Sequence, residues 1–245
     1  MATTEVNGKI CLNPAYDVSE KDIVKYDGRR IDIINETIVV MLNKPKKVIT
    51  TVKDTHNRRI VMDYIPKKFR LTPVGRLDQN TTGLLLFTND GDLQQFLTHP
   101  KNNIPKEYEA IIEGRLTTLQ KRKIKKGIYI GFKEFGKAEI IDQVTEKTRS
   151  KVILRLRQGK KREIRRIFFK LKVKLFSLKR IAFSKIKLGA LKEGEYRELQ
   201  KSEISLLRKL WAYILLFFLH YEFISTKVNI AGLLRVKNHD NRYWR

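Results

Sequence analysis

The chain has 245 residues, enough for one good-sized domain or two small ones, and 42% of them are hydrophobic, enough for a packed core. It carries 52 Lys and Arg against 26 Asp and Glu, a formal net charge of +26, which favours a polyanionic partner because neutralising phosphates releases counterions. The single cysteine, Cys11, excludes a disulfide framework and a cysteine-ligated zinc site within one chain, and the four scattered histidines offer no pair at metal-ligand spacing. A metal-dependent mechanism is therefore not expected. The first ten residues, MATTEVNGKI, lack a charged-then-apolar leader, so the cytoplasm is the expected compartment.

Residues 1–35 alternate polar and apolar positions and carry the turn pairs Asn7-Gly8, Asn13-Pro14 and Asp27-Gly28. These read as short strands joined by tight turns, too few to hold a core alone. Thr37 to Leu42 is a β-branched strand that ends before Pro45, which cannot donate to a ladder. Residues 46–73 read as a long basic connection, with Lys46, Lys47, Lys67, Lys68 and Arg70.

The stretch from Val74 to Leu93 sets Arg76 and Asp78 just ahead of Leu84-Leu85-Leu86-Phe87, a short apolar run bounded by Gly83 and by Asn89-Asp90-Gly91. Such a run reads as a strand buried on both faces, and a charged segment leading into it is anchored to something rigid. Asp90 or Asp92 caps a short helix over 93–97 that stops before Pro100. Lys106, Tyr108, Ala110 and Ile112 share one face of the next strand. Thr117 caps a basic helix ending near Gly127, where the glycine supplies a left-handed residue. Strands are expected at about 137–144, 151–157, 173–183 and 195–199.

From Arg149 to Lys187 there are 16 Lys or Arg and one acid, Glu163. Ile164, Ile167, Phe168 and Leu171 fall at helical spacing, with Lys160, Arg162, Arg165 and Arg166 around the N-terminal end. Guanidinium groups and free helix N–H donors together suit a phosphate or a carboxylate. After Leu207 the composition shifts. Leu210 to Ile224 is densely apolar but is interrupted by His220 and Glu222, too short to span a bilayer.

A basic protein with one positioned carboxylate suggests chemistry on a nucleic acid. A lone Asp can act as nucleophile or base at an electrophilic sugar carbon. Ordinary glycoside hydrolysis wants two carboxylates, one to protonate a poor leaving group. A pyrimidine leaving C1′ delocalises its own negative charge, so one carboxylate can suffice. Reaching such a base in folded RNA requires flipping it out, and a neighbouring Arg can fill the gap.

At this point the motifs become specific. GRLDQNTTGLLLFTNDG resembles the signature of the rRNA pseudouridine synthases of the S4-linked group, which act on single uridines of the small and large ribosomal subunits. Asn43-Lys44-Pro45 with Ile49-Thr50-Thr51, then Lys106-Glu107-Tyr108, then Gln158 to Arg166 resemble further family segments in the right order, over about residues 37–205. Residues 1–35 resemble only the last portion of an S4 RNA-binding domain.

The resemblance implies an α+β fold: a pseudouridine synthase catalytic domain over 36–207 on a mixed, mainly antiparallel sheet with flanking helices. A truncated S4-like segment over 1–35 precedes it, and a hydrophobic and basic tail of unknown role occupies 208–245. It further implies a cofactor-free isomerisation of one uridine of ribosomal RNA, with the large subunit slightly favoured, by a monomeric protein. The competing expectation is a non-catalytic RNA-binding or ribosome-assembly protein derived from this family. Carried over residue by residue, Asp78 is the catalytic carboxylate, Tyr108 stacks on the target base and assists proton removal, and Arg165 pairs with Asp78. Arg76 holds the flipped-out RNA, and Ile164 walls the base pocket. Lys44, Lys106, Lys160, Arg162 and Arg166 are expected to bind RNA. Three positions depart from the family pattern. Lys47 replaces a glycine, and Lys161 and Glu163 replace an Asn and a Gln, which puts Glu163 in competition with Asp78 for Arg165.

Overall fold

A computed structural model describes residues 3–19, 21–31 and 36–210, which fall into two compact units meeting at Thr37 and Ile38. The first unit is one antiparallel sheet of β1 (Thr4–Val6), β2 (Lys9–Ile10), β3 (Val24–Tyr26) and β4 (Arg29–Ile31), in the order β2-β1-β3-β4. Asn7-Gly8 and Asp27-Gly28 make its hairpin turns, all four residues at positive φ, as the twist of paired strands favours. The Asn7 side chain accepts from the Ile23 amide and donates to Asp22, tying the first turn to the third strand. Val6 is the one buried hydrophobic residue among the described residues of this unit, so local turn chemistry rather than a core shapes it.

The second unit is built on a nine-stranded sheet. In chain order its elements are β5 (Val39–Lys44), β6 (Thr72–Pro73), β7 (Thr82–Thr88), α1 (Gly91–Thr98), β8 (Lys106–Glu113) and α2 (Thr118–Lys126). There follow β9 (Ile128–Gly131) and β10 (Glu134–Gly136), which form a separate hairpin, then β11 (Glu139–Glu146), β12 (Arg149–Leu156), α3 (Glu163–Lys170), β13 (Leu175–Phe183), β14 (Ile186–Lys187), β15 (Tyr196–Glu198) and a helix α4 over 201–210. The sheet order is β11-β12-β8-β13-β7-β5-β15, with β6 on β7 and β14 on β13. Every pairing is antiparallel except β7 with β13. The expected α+β class with a mixed, mainly antiparallel sheet is what the chain forms.

The run Leu84-Leu85-Leu86-Phe87 is apolar throughout because its two faces pack on different things. Leu84 and Leu86 meet Leu93, Phe96 and Leu97 of α1 together with Leu207 of α4. Leu85 and Phe87 meet Val48, Val61, Ile65 and Leu71. Residues 46–73, the long basic connection, thus also pack on the sheet. They carry a short 3₁₀ turn over Val61–Tyr64 and bury four aliphatic side chains on the sheet, while their lysines stay at the surface. A third cluster packs Ile164, Ile167 and Phe168 of α3 and Ile124 of α2 on Ala110, Val152 and Leu154.

The cap residues act as read. Asp90 accepts from the Leu93 amide, and Thr117 accepts from the Gln120 amide while Gln120 reaches back to the Thr117 N–H. Gly127 differs: at φ 118° and ψ 133° it is positive but not left-handed helical, because the chain turns straight into β9. Helix α4 runs through Leu207, where the tail was expected to begin, and buries that residue fully. The apolar stretch from residue 211 onward lies outside the described residues. Among the described residues no helix is long and apolar enough to cross a membrane.

Gly83 is the tightest point of the sheet. It lies at φ 100° opposite Arg180 in the parallel β7–β13 pair, and a Cβ there would run into the Arg180 backbone. Gly83→Ala is expected to lower unfolding free energy in urea by about 2–4 kcal/mol, combining positive-φ strain with displaced backbone. Gly159→Ala, which meets nothing within 4 Å, should stay within about 0.5 kcal/mol of the parent. Equal effects would show that the β7–β13 approach is not the constraint described.

Candidate active site

Asp78 sits in the turn that leads into β7, and that turn is tied down from three sides. The Thr50 hydroxyl donates to the Leu77 carbonyl at 2.9 Å and accepts from the Leu77 amide at 3.3 Å. The Lys47 amide donates to the Gln79 carbonyl at 2.8 Å, and the Thr81 amide to that of Asp78 at 2.9 Å. From α3, Arg165 donates to the Asn80 carbonyl at 2.8 Å and the Thr81 hydroxyl at 3.1 Å. Its Nε lies 3.5 Å from Asp78 Oδ2, an ion pair longer than a good hydrogen bond. Burial lowers the Arg165 pKa, and the charge of Asp78 opposes that effect. The Asp78 side chain keeps about a third of its surface exposed, so the carboxylate is fixed in place yet reachable.

Lys47 holds φ 66°, the conformation that suits the glycine it replaces. The turn keeps that shape because the Lys47 amide must face the Gln79 carbonyl. Glu163 does not compete for Arg165. Its carboxylate is buried and accepts from the Lys137 and Lys160 amides at 3.1 and 3.0 Å, and burial raises its pKa.

One pocket collects most of the expected residues. Asp78, Arg76, Lys106, Tyr108, Lys160, Arg162, Ile164 and Arg165 all line it, together with Leu77, Arg157, Glu163 and Arg180. Lys106 and Tyr108 lie at the near end of β8, whose same-face residues Ala110 and Ile112 go into the core. Ile164 is 5% exposed and forms part of the wall. Arg76 and Arg162 stand exposed at the rim. Seven lysines and arginines line the pocket against two acids, so it demands negative charge from whatever enters.

Two residues expected at the RNA face are elsewhere. Lys44 is fully buried beneath the Asp78 turn, where its ammonium donates to the carbonyls of Pro45, Gln79 and Thr81 at 2.8, 3.3 and 3.1 Å. Burial pulls its pKa down to about 8, with Glu193 and Asp78 opposing that pull. Arg166 faces away from the pocket and clamps the β9–β10 hairpin. It donates to the Ile130 and Gly131 carbonyls and pairs with Glu134 at 2.6 Å. Sequence reasoning missed Arg180 altogether. It looks like one more cation in a basic stretch, but it is 2% exposed and at the pocket floor.

Residues 38–170 match the family model for RNA pseudouridylate synthase. The chain belongs to that family. It is 34% identical over 211 residues to the ribosomal large subunit pseudouridine synthase B of Bacillus subtilis, covering 84% of this chain and 85% of the relative. It is 33% identical over 210 residues to an uncharacterised RNA pseudouridine synthase of Aquifex aeolicus, covering 84% and 83%. A crystal structure of a pseudouridylate synthase superposes with a TM-score of 0.63 at 27% identity, covering 84% of this chain and 88% of that one. The pocket at the β7–β8–β13 ends is thus the candidate active site of an RNA pseudouridine synthase, and its cationic lining suits an RNA substrate.

The two buried and rim cations of this synthase separate experimentally. Lys44→Met should cost about 1–3 kcal/mol of stability, because three carbonyls lose a buried donor, while the salt dependence of rRNA binding stays that of the parent. Arg162→Ala should leave stability within about 0.5 kcal/mol and reduce the slope of log K against log salt by about one. A reduced salt slope in Lys44→Met would return that residue to the RNA face.

Proposed function

We propose that this synthase converts one uridine of ribosomal RNA to pseudouridine, with Asp78 as the catalytic carboxylate and no cofactor. The observation that carries the reading is the convergence of Asp78, Tyr108 and Arg165, from three distant segments, on one cationic pocket. The similarity to a relative named for the large ribosomal subunit favours large-subunit RNA. The first unit serves as the remnant of an S4-like RNA-binding module, and the protein acts as a cytoplasmic monomer.

The reaction is an isomerisation. The C1′–N1 bond breaks, a C1′–C5 bond forms, the C5 proton leaves and N1 gains one, so no atom or electron comes from outside. Asp78 acts at the sugar, as nucleophile or as base, and in either role the uracil ring leaves with the electron pair of the C1′–N1 bond. Arg165 pairs with the carboxylate and aims it. Arg76 at the rim occupies the gap left by the flipped nucleotide. Tyr108 stacks on the base opposite Ile164 and assists removal of the C5 proton.

The test is a pseudouridine map of rRNA from cells carrying Asp78→Asn as the only copy. Loss of modification at one uridine, with protein levels unchanged, is the expected result. A map identical to the parent's, in cells with no paralogue, would leave the non-catalytic RNA-binding reading in its place.

A further inference from the structure

Arg180 has a feature that the reading above does not use. Its Nε donates to the Leu84 carbonyl at 2.6 Å, which fixes the guanidinium across the β7–β13 step. Its Nη2 is buried and has no hydrogen-bond partner among the described residues. A buried charged donor left without an acceptor is costly, and such groups are scarce in folded proteins. Here the orphan belongs to a residue that lines the pocket containing Asp78.

A second cation shares the same floor. Lys106 Nζ and the Arg180 guanidinium carbon each lie 5.4 Å from the centre of the buried Phe183 ring. The Lys106 ammonium is bonded to the Ile104 carbonyl at 3.0 Å. Burial and then the charge of Arg180 pull its pKa down to about 8, with Glu163 the opposing influence. Glu163 does not neutralise the floor by contact, since its carboxylate is turned to the Lys137 and Lys160 amides. Two positive groups therefore lie together against the Phe183 ring, and Arg180 has a buried donor to spare.

Depth decides what they face. The rim holds the exposed Arg76 and Arg162, whose charge suits the phosphates of an RNA backbone. Lys106 and Arg180 share the pocket with Tyr108 and Ile164, and the base is the part of a flipped nucleotide that enters such a pocket. A uracil ring leaving C1′ carries the electron pair of the broken bond, delocalised from N1 onto its two exocyclic oxygens. Donors fixed where that charge develops stabilise the cleavage transition state more than the ground state.

We propose that Arg180 and Lys106 form a cationic floor that binds the exocyclic oxygens of the departing uracil ring and holds the ring as an anion until C5 bonds to C1′. The floor neither gains nor loses a proton in this step. The electron pair moves from C1′–N1 into the ring and returns from C5 to C1′. This inference rests on the pseudouridine synthase reading but not on whether Asp78 acts as nucleophile or base.

The experiment compares single-turnover pseudouridine formation and filter-binding affinity, using an in vitro transcript of large-subunit rRNA. Lys106→Met and Arg180→Met should each slow formation on the order of 10²–10³-fold, the usual loss for one donor to a developing anion. Affinity should stay within about twofold and its salt slope unchanged, because no phosphate contact is lost. Lys106→Arg should restore most of the rate. Rate and affinity falling together with a shallower salt slope would overturn the proposal in favour of a phosphate subsite, and an unchanged rate would make the floor merely structural. If Arg180→Met loses cooperative unfolding, Lys106→Met decides alone, since its ammonium ties down only the Ile104 carbonyl among the described residues. Wild-type protein that forms no pseudouridine in any rRNA transcript would overturn the underlying reading itself.

Discussion

The candidate active site depends on the close parallel approach of β7 to β13 at Gly83 and Arg180. Because Gly83 has no side chain, the two backbones come together where any Cβ would collide. That approach sets Arg180 beside the strand that Asp78 introduces, and on its other side Arg180 pairs in register with Tyr108 of β8. Three neighbouring strands thus deliver a carboxylate, a guanidinium and an aromatic ring to one end of the sheet. Catalytic geometry of this kind is best held by rigid elements, since an ångström of slack costs heavily in rate.

The second requirement is to hold a carboxylate without exhausting it. Lys44 and Thr50 grip the backbone of the Asp78 turn rather than the carboxylate, and Arg165 spends its short hydrogen bonds on Asn80 and Thr81. What remains for Asp78 is a 3.5 Å ion pair, which orients the carboxylate while leaving its oxygens available. The buried ammonium of Lys44 is tolerated because three carbonyls solvate it. The polarity of the site is therefore divided. Lys44 and Arg166 build the frame, and Arg165, Lys106 and Arg180 line the pocket.

Much of this was legible in the residues alone. An apolar run without alternation means two packed faces, and β7 has them. Asp90 and Thr117 announced helix starts through ordinary capping chemistry. Asp78, Tyr108 and Arg165 were found by motif resemblance, since nothing in spacing places residues 30 and 87 apart at one pocket. The misreadings share a cause. A Lys or Arg in a strongly basic chain carries no local mark of whether it faces water or carbonyls, so Lys44 and Arg166 read as RNA contacts and Arg180 did not stand out. The β9–β10 hairpin escaped notice because its turn falls on Phe132 and Lys133, both at positive φ, where glycine or asparagine would have signalled it. The packing role of residues 46–73 was hidden because Val48, Val61, Ile65 and Leu71 follow no simple period.

The central claim is that one flipped uridine occupies this pocket with its sugar against residue 78. A crystal structure of Asp78→Asn bound to an rRNA stem-loop that carries the target uridine tests it most directly. The account predicts the uracil ring between Tyr108 and Ile164, with C1′ or C2′ about 3–3.5 Å from the side chain at position 78. A uridine still stacked in its helix, with only the RNA backbone lying across the basic rim, would contradict it.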